Sequence, residues 1–422
     1  MRILVIGRGG REHTIVWALR KNPKAEHIFC APGNAGIAQL AELVPIGELE
    51  FDKLVQFAKD KAIDLVVVGP DDPLAAGIVD AFEAASIPVY GPNKAAAEIE
   101  GSKIFMKNLL KKYDIPTAKY ETFTDYASAR DYLASQPVPI VIKADGLAAG
   151  KGVTVCFTRE EAEQALKDTM VDKSFGAAGD KVVIEEFLSG QEMSILAFVD
   201  GETVRAMPAA QDHKPAYDGD KGPNTGGMGT YSPLPHIPQS IIDDAIENIV
   251  KPTARAMVSE GRPFRGVLFG GLMITADGPK TIEFNARFGD PETQVVLPRL
   301  KGDLLEIILA SLEGRLDDVE IEWSDEAAVC VVLASGGYPG SYPKGLPVDG
   351  LDAAAGAGDA LVFHAGTAEQ EGRVVTAGGR VLGIVGLGAG IAEAREAAYR
   401  AAAHIDFEGK QHRTDIAAKA LV

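Results

Sequence analysis

The residues best suited to chemistry lie in a lysine- and glycine-rich stretch, VIKADGLAAGKGV, at positions 141–153. An apolar run ends at Lys143 and another begins at Val153, so the pattern predicts a strand, a glycine-rich turn and a second strand. Glycines let backbone N–H groups approach an anion closely, and lysines neutralise its charge. The expected ligand is a polyphosphate, and the candidate residues are Lys143, Gly146, Gly150, Lys151 and Gly152.

This stretch is not a P-loop, because the order G-x-x-x-x-G-K-[ST] is absent and a strand rather than a helix follows the glycines. The alternative interpretation is an ordinary glycine hairpin beside a solvated lysine. Taken alone, the stretch leaves both interpretations open.

A second group of polar residues lies in TIEFNARFGDPETQ, at positions 281–294. Glu283, Asn285 and Arg287 alternate along a predicted strand and should therefore share one face, with Ala286 turned toward the core. Mg²⁺ prefers carboxylate and amide oxygens together with substrate phosphates, and a guanidinium can stabilise charge on a transferred phosphoryl group. The pattern predicts a metal and phosphate site. The alternative, an exposed polar strand face, is disfavoured by the apolar sequence around it.

A third group belongs to a long polar segment, QDHKPAYDGDKGPNTGGMGTYS, at positions 211–232. Surface loops of this length are usually either functional or disordered. The segment is interpreted as a functional surface loop, with Asp212 as its candidate site residue.

The elements before these groups follow the βαβ rhythm of an open parallel sheet. Apolar runs at 3–6, 27–30 and 65–68 predict buried strands. The first turn, GRGGREH at 7–13, leads into a helix N-terminus, where an anion would be stabilised. Its spacing is not G-x-G-x-x-G, so a monophosphate fits better than a dinucleotide, and structural turns without ligands are the alternative.

The central region contains a basic amphipathic helix predicted at 103–112, followed by a small α+β unit at about 117–190. A strand at 181–188 turns acidic at its end. Backbone groups at such an edge can bind a purine, and a carboxylate can accept two ribose hydroxyls. The last hundred residues predict short strands and a helix at 391–404, with a hairpin at Gly378-Gly379.

Composition restricts the classes of protein to consider. A chain of 422 residues exceeds what one core usually organises, and a net charge of −18 argues against a nucleic-acid or anionic-membrane partner. Three separated cysteines in apolar runs indicate a reducing compartment, and no apolar run could span a bilayer. The start of the chain leads directly into a strand without a signal-peptide pattern, so we expect a cytoplasmic protein.

Together these motifs resemble the phosphoribosylamine–glycine ligase (glycinamide ribonucleotide synthetase) family of ATP-grasp enzymes, from the first strand into the last hundred residues. The resemblance departs from the family at Asp71, where a glutamate is expected, and at Ala286, where some relatives have cysteine. The first departure shortens a substrate contact by one methylene, and the second should be silent. The motifs that carry the resemblance are GRGGREH (7–13), PGNAG (32–36), IKADGLAAGKGV (142–153), IEEFL (184–188), QDHK (211–214), GPNTGGMG (222–229) and EFNARFGDPETQ (283–294).

The resemblance implies a fold of α/β and α+β domains: an N-terminal open parallel sheet at 1–102, an ATP-grasp core at 103–325 and a C-terminal cap at 326–422. A small mobile lid would occupy about 117–190. It also implies that ATP phosphorylates the glycine carboxylate, and that the amine of 5-phosphoribosylamine attacks the glycyl phosphate to give glycinamide ribonucleotide, ADP and phosphate. A monomer with small-molecule partners is expected.

The family's site residues fall into four groups by expected role. ATP would be held by Lys103, Lys143, Gly146, Gly150, Lys151, Gly152, Glu185, Glu186, Phe187, Leu188 and Glu192. Mg²⁺ or Mn²⁺ would bind Glu283 and Asn285. The substrates would contact Gly9, Gly10, Asn34, Asp212, Asp290 and Pro291. The catalytic group would be Arg287, Asp212 and Lys143.

Two other classes of protein remain open from the residues. Another ATP-grasp ligase, such as a purine-pathway or biotin-type carboxylase, would activate bicarbonate instead of glycine. A regulatory nucleotide-binding protein would keep the fold without turnover. The regulatory alternative predicts loss of a metal ligand or loop lysine, yet Lys103, Lys143, Glu283, Asn285 and Arg287 are present.

Overall fold

The structure is a computed structural model and describes residues 1–148 and 151–421. Its first hundred residues form an open parallel sheet. The elements here are β1 (Arg2–Gly7), α1 (Gly10–Leu19), β2 (His27–Pro32), β3 (Glu42–Leu43), α2 (Phe51–Asp60), β4 (Leu65–Val68), α3 (Asp71–Ala76), α4 (Ile78–Ala84), β5 (Val89–Tyr90) and α5 (Lys94–Gly101). The strand order is β3-β2-β1-β4-β5, and every pair is parallel, as predicted.

The apolar runs of this sheet explain why it is covered on both faces. In β1, Leu4 and Ile6 pack into one hydrophobic cluster, whereas Ile3 and Val5 pack into another. A parallel strand buried on both sides needs a continuous apolar sequence, which β1 and β4 supply. The carboxyl ends of these strands face the pocket described below, because Asp71 and Arg11, which follow β4 and β1, lie in its wall.

A small sheet with its own core forms the next unit, within the range predicted for a lid. α6 (Lys103–Lys112) precedes this unit and packs into the main core. The elements of the unit are β6 (Tyr120–Phe123), α7 (Tyr126–Ser135), β7 (Ile140–Ala144), β8 (Val153–Cys156), α8 (Arg159–Met170) and β9 (Val182–Glu186). The order β6-β9-β7-β8 is antiparallel, and α7 and α8 cover one face. Leu133, Ile142 and Leu166 belong to its separate cluster, so this sheet packs as a unit. Its movement as a lid stays a prediction.

The body of the central region is an antiparallel sheet in the order β11-β10-β16-β17. The elements are β10 (Gln191–Asp200), β11 (Thr203–Ala206), β12 (Gln211–Asp212), β13 (Pro215–Tyr217), β14 (Lys221–Asn224), β15 (Gly229–Ser232), α9 (Gln239–Ala245), α10 (Lys251–Ser259), β16 (Arg265–Thr275), β17 (Gly278–Asn285), α11 (Thr293–Val296) and α12 (Leu304–Leu312). A π-helical turn at Ile246–Val250 joins α9 to α10.

The segment at 211–232 is not the loop that its polar composition predicts. It forms β12 to β15, and β13 pairs with β14. The C-terminal segment holds it in place, since the Arg413 side chain is 1% exposed and contacts Asp220 at 3.0 Å and Asp415 at 2.8 Å. Arg413 also donates a hydrogen bond to the Pro215 carbonyl at 3.1 Å. A buried guanidinium with several acceptors orders a polar segment that would otherwise be free.

The last region completes a five-stranded sheet in the order β12-β15-β18-β22-β19. Its own elements are β18 (Ala327–Ala334), α13 (Leu351–Ala355), β19 (Ala360–His364), β20 (Thr367–Gln370), β21 (Arg373–Thr376), β22 (Arg380–Gly388) and α14 (Ile391–Ala402). This sheet joins strands from both sides of residue 325, so the predicted core and cap share it. Short 3-10 turns cover Ile37–Gln39, Gly176–Asp180, Leu297–Arg299, Leu316–Asp318 and Ala418–Leu421.

The hairpin predicted at Gly378-Gly379 is wrong. β21 pairs with β20, whereas β22 pairs with β18 and β19. Gly366 and Gly378 instead let two backbone segments approach closely, because a Cβ at Gly366 would lie 2.5 Å from the Gly378 Cα. Within the described ranges, no helix is long and apolar enough to cross a membrane.

Two buried histidines join the first and last regions. His13 Nδ1 accepts a hydrogen bond from the His364 backbone N–H at 2.7 Å, and the two side chains are almost fully buried. Burial lowers the pKa of His13 to about 3, with His364 nearby adding to the effect. Burial likewise lowers the pKa of His364 to about 4. Both rings are therefore neutral in the folded protein at neutral pH.

This junction predicts a loss of stability in weak acid. Between pH 6.5 and the folded pKa, unfolded His13 binds a proton that folded His13 does not, so stability falls as pH decreases. At pH 5 this protonation of unfolded His13 lowers the free energy of unfolding by about 2 kcal/mol. Between pH 7 and pH 5, the free energy of unfolding measured in urea should fall less for His13→Asn than for the parent. Equal losses in both proteins would remove His13 from this account.

Candidate active site

A pocket of about 490 Å³ lies where the β6-β9-β7-β8 sheet, the β11-β10-β16-β17 sheet and the N-terminal region meet. Its wall combines the glycine-rich stretch, the end of β9, the end of β17 and the segment around β12. Fourteen sequence-predicted residues line it: Lys103, Lys143, Gly146, Gly152, Glu185, Glu186, Phe187, Leu188, Glu192, Asp212, Glu283, Asn285, Arg287 and Asp290.

Five predicted residues in the described ranges do not line this wall, and a sixth is not described. Gly150 lies outside the described residues. Lys151 is exposed to solvent. Pro291 packs against the loop after β14, where a Cβ at Gly227 would lie 2.6 Å from its Cδ. Gly9 lies beside Asp290, because a Cβ there would be 3.1 Å from Asp290 Oδ2, and a Cβ at Gly10 would be 2.5 Å from Gln294 Nε2. Asn34 contacts the Arg8 and His364 carbonyls, as described below.

The N-terminal turn is used differently from the predicted anion site. The Gly9 N–H donates to Glu12 Oε2 at 2.7 Å, and the Arg11 N–H donates to Asp290 Oδ2 at 3.3 Å. A Cβ at Gly69 would lie 2.0 Å from Glu12 Oε1, so glycine there makes room for that carboxylate. Two N–H groups at this helix N-terminus therefore donate to carboxylates of the protein itself, and binding of a monophosphate there stays a prediction.

Asn34 has a structural environment. Its Nδ2 donates to the Arg8 carbonyl at 2.9 Å and to the His364 carbonyl at 2.8 Å. Its Oδ1 accepts from the backbone N–H groups of Gly36 and Ile37, each at 3.0 Å. These four hydrogen bonds hold the Asn34 side chain within the protein, and its predicted contact with a substrate stays a prediction.

The lysines of the phosphate-binding prediction converge at the mouth of the glycine-rich stretch. Lys103 Nζ donates to the Gly146 carbonyl at 2.8 Å, and Gly146 has φ +124°, a value that favours glycine. Asp145 Oδ1 accepts from the Ile104 N–H at 3.1 Å, which ties the stretch to the start of α6. Burial lowers the pKa of Lys103. Lys103 and Lys143 thus both line the pocket beside the stretch.

Glu185 contacts lysines rather than presenting a free carboxylate. Its Oε1 lies 3.0 Å from Lys143 Nζ and its Oε2 lies 3.2 Å from Lys107 Nζ. Sequence reasoning missed Lys107, although it is four residues after Lys103 and hence on the same side of α6. Glu186, at the end of β9, and Phe187 and Leu188 just after it also line the pocket, and their contacts with adenine stay a prediction.

The alternation argument for Glu283, Asn285 and Arg287 is correct for the first two only. β17 ends at Asn285, so Arg287 lies beyond the strand, yet it still lines the pocket. Arg287 Nη2 lies 3.1 Å from Glu100 Oε1, and Nη1 donates to the Phe288 carbonyl at 3.0 Å. Sequence reasoning missed Glu100, which orients the guanidinium. Ala286 is 0% exposed, which confirms that it faces the core.

The donor set of β17 fits a hard divalent cation. Burial by itself would raise the pKa of the Glu283 carboxyl, but Lys214, Lys143 and Lys103 hold it below its ordinary value. The carboxylate is therefore ionised at neutral pH, beside the Asn285 side chain. No cluster of three or more His, Cys, Asp or Glu side chains that could hold a metal occurs in the described ranges. Two protein oxygens completed by substrate phosphates are the typical environment of Mg²⁺.

Two further acids make the far wall of the pocket. Burial raises the pKa of Asp212 to about 6, and burial together with the Asp212 charge raises the pKa of Glu292 to about 8. Lys214 Nζ lies 3.3 Å from Glu192 Oε2, and Glu192 raises the pKa of Lys214 well above its ordinary value. Glu292 was missed, although it belongs to the GDPETQ motif. This wall is suited to a small ligand that carries a positive charge next to a carboxylate of its own.

The other end of the pocket is formed around Asp290. Arg380 Nη2 lies 3.5 Å from Asp290 Oδ1, and Gln294 Nε2 donates to Oδ1 at 2.9 Å. Arg380 and Arg11 hold the pKa of Asp290 below its ordinary value although burial opposes them. Arg380 starts β22, so the C-terminal region contributes a charged group to the pocket wall. In the sequence, Arg380 was distinguished only as a charged residue at the start of an apolar run.

Family models cover nearly all of the chain. One described as phosphoribosylglycinamide synthetase, N domain, matches residues 1–100, the ATP-grasp (A) domain of the same family matches 101–293, and its C domain matches 328–419. A relative from Halalkalibacterium halodurans named phosphoribosylamine–glycine ligase is 53% identical over 421 residues, covering 100% of this chain and 97% of the relative.

Solved structures give the same fold. A phosphoribosylamine–glycine ligase from Thermotoga maritima superposes with a TM-score of 0.87 at 36% identity, covering 99% of this chain and 100% of that one. The biotin carboxylase domain of 2-oxoglutarate carboxylase from Hydrogenobacter thermophilus, solved with ADP, magnesium and bicarbonate, superposes at 0.74 with 15% identity. It covers 97% of this chain and 91% of that one, and it shares the fold alone.

Proposed function

The chain belongs to the phosphoribosylglycinamide synthetase family, and we propose that its central pocket ligates glycine to 5-phosphoribosylamine with ATP, giving glycinamide ribonucleotide, ADP and phosphate in purine biosynthesis. The observation that supports this most is that one pocket is lined by Lys103 and Lys143, by Glu283 and Asn285 of β17, and by Asp212. The full-length match favours this ligase over the carboxylase and regulatory alternatives.

ATP occupies the lid side of the pocket in this proposal. Lys103 and Lys143 bind its phosphates, and the glycine-rich stretch with Gly146 and Gly152 lies over them. The chain at Glu186 to Leu188 receives adenine, and Glu192 receives the ribose hydroxyls. The proposed roles of Gly150 and Lys151 in closing this stretch stay predictions. The Lys214 ammonium beside Glu192 keeps the region near neutral, so the nucleotide's own charge is not repelled.

Activation of glycine takes place between β17 and Asp212. The ionised Asp212 carboxylate pairs with the glycine ammonium, which leaves the glycine carboxylate pointing toward the γ-phosphoryl group. A divalent cation on Glu283 and Asn285, Mg²⁺ or Mn²⁺, would neutralise phosphate charge there. Arg287, oriented by Glu100, stabilises charge on the transferred group.

The second step uses the end of the pocket around Asp290. A carboxylate does not react with an amine until one of its oxygens becomes part of a leaving group. The neutral amine of 5-phosphoribosylamine attacks the acyl phosphate carbonyl, the amide bond forms, and phosphate leaves with release of a proton to solvent. Asp290, with Gly9, Gly10 and Pro291 behind it, is proposed to position this substrate.

Three further properties belong to the proposal. The pocket is complete within one chain, which supports a monomer. Buried free cysteines support a reducing, cytoplasmic location. Size-exclusion chromatography with light scattering and fractionation of cells would test these two. Removal of divalent cations with a chelator should stop turnover, and either Mg²⁺ or Mn²⁺ should restore it.

Loss of the Lys143 ammonium should weaken ATP use. Lys143→Met keeps the buried stem but removes the charge, so the KM for ATP should rise about tenfold or more, with a smaller change in the KM for glycine. Steady-state kinetics with each substrate varied provides the measurement. An unchanged KM for ATP would remove Lys143 from the phosphate site.

The proposed reaction is tested by substrate dependence. ADP release should require glycine and freshly generated 5-phosphoribosylamine together, and it should match glycinamide ribonucleotide one to one. Release driven by bicarbonate in place of glycine would instead support a carboxylase.

A further inference from the structure

The most deeply buried ammonium group in the described part of the chain has no role in the reaction as described so far. The Lys107 side chain is 0% exposed, and its Nζ donates to Thr117 Oγ1 at 2.7 Å and lies 3.2 Å from Glu185 Oε2. Burying a lysine this completely is costly unless the charge is paired. The position of Lys107 therefore requires explanation.

Glu185 is shared between two lysines. One carboxylate oxygen faces Lys107 and the other faces Lys143 at 3.0 Å, and none of the three side chains is more than 4% exposed. Two ammonium groups and one carboxylate give this triad a net charge of one positive. Without Lys107, the Lys143–Glu185 pair would be neutral.

We propose that Lys107 is a positioning residue that neutralises Glu185, so that the positive charge of Lys143 remains available to the phosphates of ATP. This inference rests on the proposed assignment of Lys143 to those phosphates. Lys107 touches no substrate in this account and acts only through Glu185.

The same triad is anchored to the strand that carries the metal site. Thr117 Oγ1, which accepts from Lys107, donates to the Thr281 carbonyl at 2.8 Å. Lys143 Nζ donates to the next carbonyl, that of Ile282, at 3.2 Å. Thr281 and Ile282 directly precede Glu283, so the triad fixes Lys143 relative to the proposed metal ligand. Burial lowers the pKa of Lys107 to about 8, and measurements at pH 7 therefore keep it charged.

Charge arithmetic separates this role from simple packing. Lys107→Met removes one positive charge with little change of volume, and ATP should bind about tenfold more weakly. Adding Glu185→Gln to that variant restores the net charge of one positive. The double variant should bind ATP within about threefold of the parent, and Glu185→Gln alone should bind ATP at least as tightly as the parent.

The experiment is calorimetric titration of ATP and Mg²⁺ into the full chain and its variants at pH 7, with glycine and 5-phosphoribosylamine omitted. A double variant that binds as weakly as Lys107→Met, or more weakly, would overturn the proposal, because a packing role predicts that a second lost partner cannot help. Lys112→Met is the matched control: it lies on the same helix, is exposed and pairs with Glu260, and it should bind ATP like the parent.

Two provisions keep the outcome decisive. If Lys107→Met does not fold, as judged by thermal melting, then Glu185→Gln decides alone, and a tenfold weakening of ATP binding by that variant overturns the proposal. The titrations need no turnover. Variants that follow the predicted order of ATP affinity in a protein that makes no glycinamide ribonucleotide would contradict the proposed function while supporting the role of Lys107.

Discussion

Arg287→Met is expected to lower kcat by about 10³-fold, because an arginine that stabilises a transferring phosphoryl group contributes at least that much in related chemistry. The structure adds a second effect. Arg287 is the 3.1 Å partner of the buried Glu100; burial raises the pKa of the Glu100 carboxyl, and the charge of Arg287 limits that rise. The variant leaves that carboxyl unpaired and should therefore also unfold more easily.

A second substitution separates the two effects. Glu100→Gln added to Arg287→Met removes the unpaired carboxyl, so thermal stability should return toward the parent while turnover stays low. Single-turnover rates and melting temperatures of the parent, Arg287→Met and the double variant provide the measurements. Recovery of both activity and stability in the double variant would show that Arg287 serves only to hold Glu100.

Glu283→Gln is expected to fold normally and to lose about 10²–10³-fold in kcat, the cost of removing one group that stabilises developing charge. Glutamine keeps the shape of the side chain, which packs closely against Gly271: a Cβ at Gly271 would lie 3.3 Å from Glu283 Cγ. The dependence of the rate on Mg²⁺ concentration should shift to higher values, as expected for a weakened ligand.

The matched control for this variant is Glu260→Gln, which removes a carboxylate that pairs with Lys112 outside the pocket. Its rate and metal dependence should equal those of the parent. Normal turnover of Glu283→Gln at low Mg²⁺ would exclude Glu283 as a metal ligand.

Local sequence patterns were sufficient for the elements that carry most of the pocket. Continuous apolar runs gave β1 and β4 their burial on both faces, and period-two alternation placed Glu283 and Asn285 on one face of β17. The alternation argument failed at Arg287, because the strand had already ended.

The residues that were missed depend on contacts between distant parts of the chain. Arg380 reaches the Asp290 carbonyl across 90 residues of sequence, and Glu100 accepts from the Ala286 N–H across 186. No local period encodes such meetings. Gly378 shows a related ambiguity, since a glycine pair signals a turn and a close backbone approach equally, and here the second is present.

The polar segment at 211–232 illustrates the same point from the other direction. Its composition is typical of a loop, but Arg413 and Asp415, nearly two hundred residues later, give its polar groups partners. Ordering of a segment by a buried arginine cannot be inferred from the segment itself. The residues that order the segment are distant from it in sequence and adjacent to it only in the fold.

The central claim is that the glycine carboxylate is activated as an acyl phosphate in this pocket. The most direct measurement uses glycine labelled with ¹⁸O in both carboxylate oxygens, together with ATP, Mg²⁺ and 5-phosphoribosylamine, and analyses the released phosphate by mass spectrometry. The account predicts one ¹⁸O atom transferred to each inorganic phosphate, with the other retained in glycinamide ribonucleotide. Phosphate without ¹⁸O, released at the same rate as the product, would contradict it.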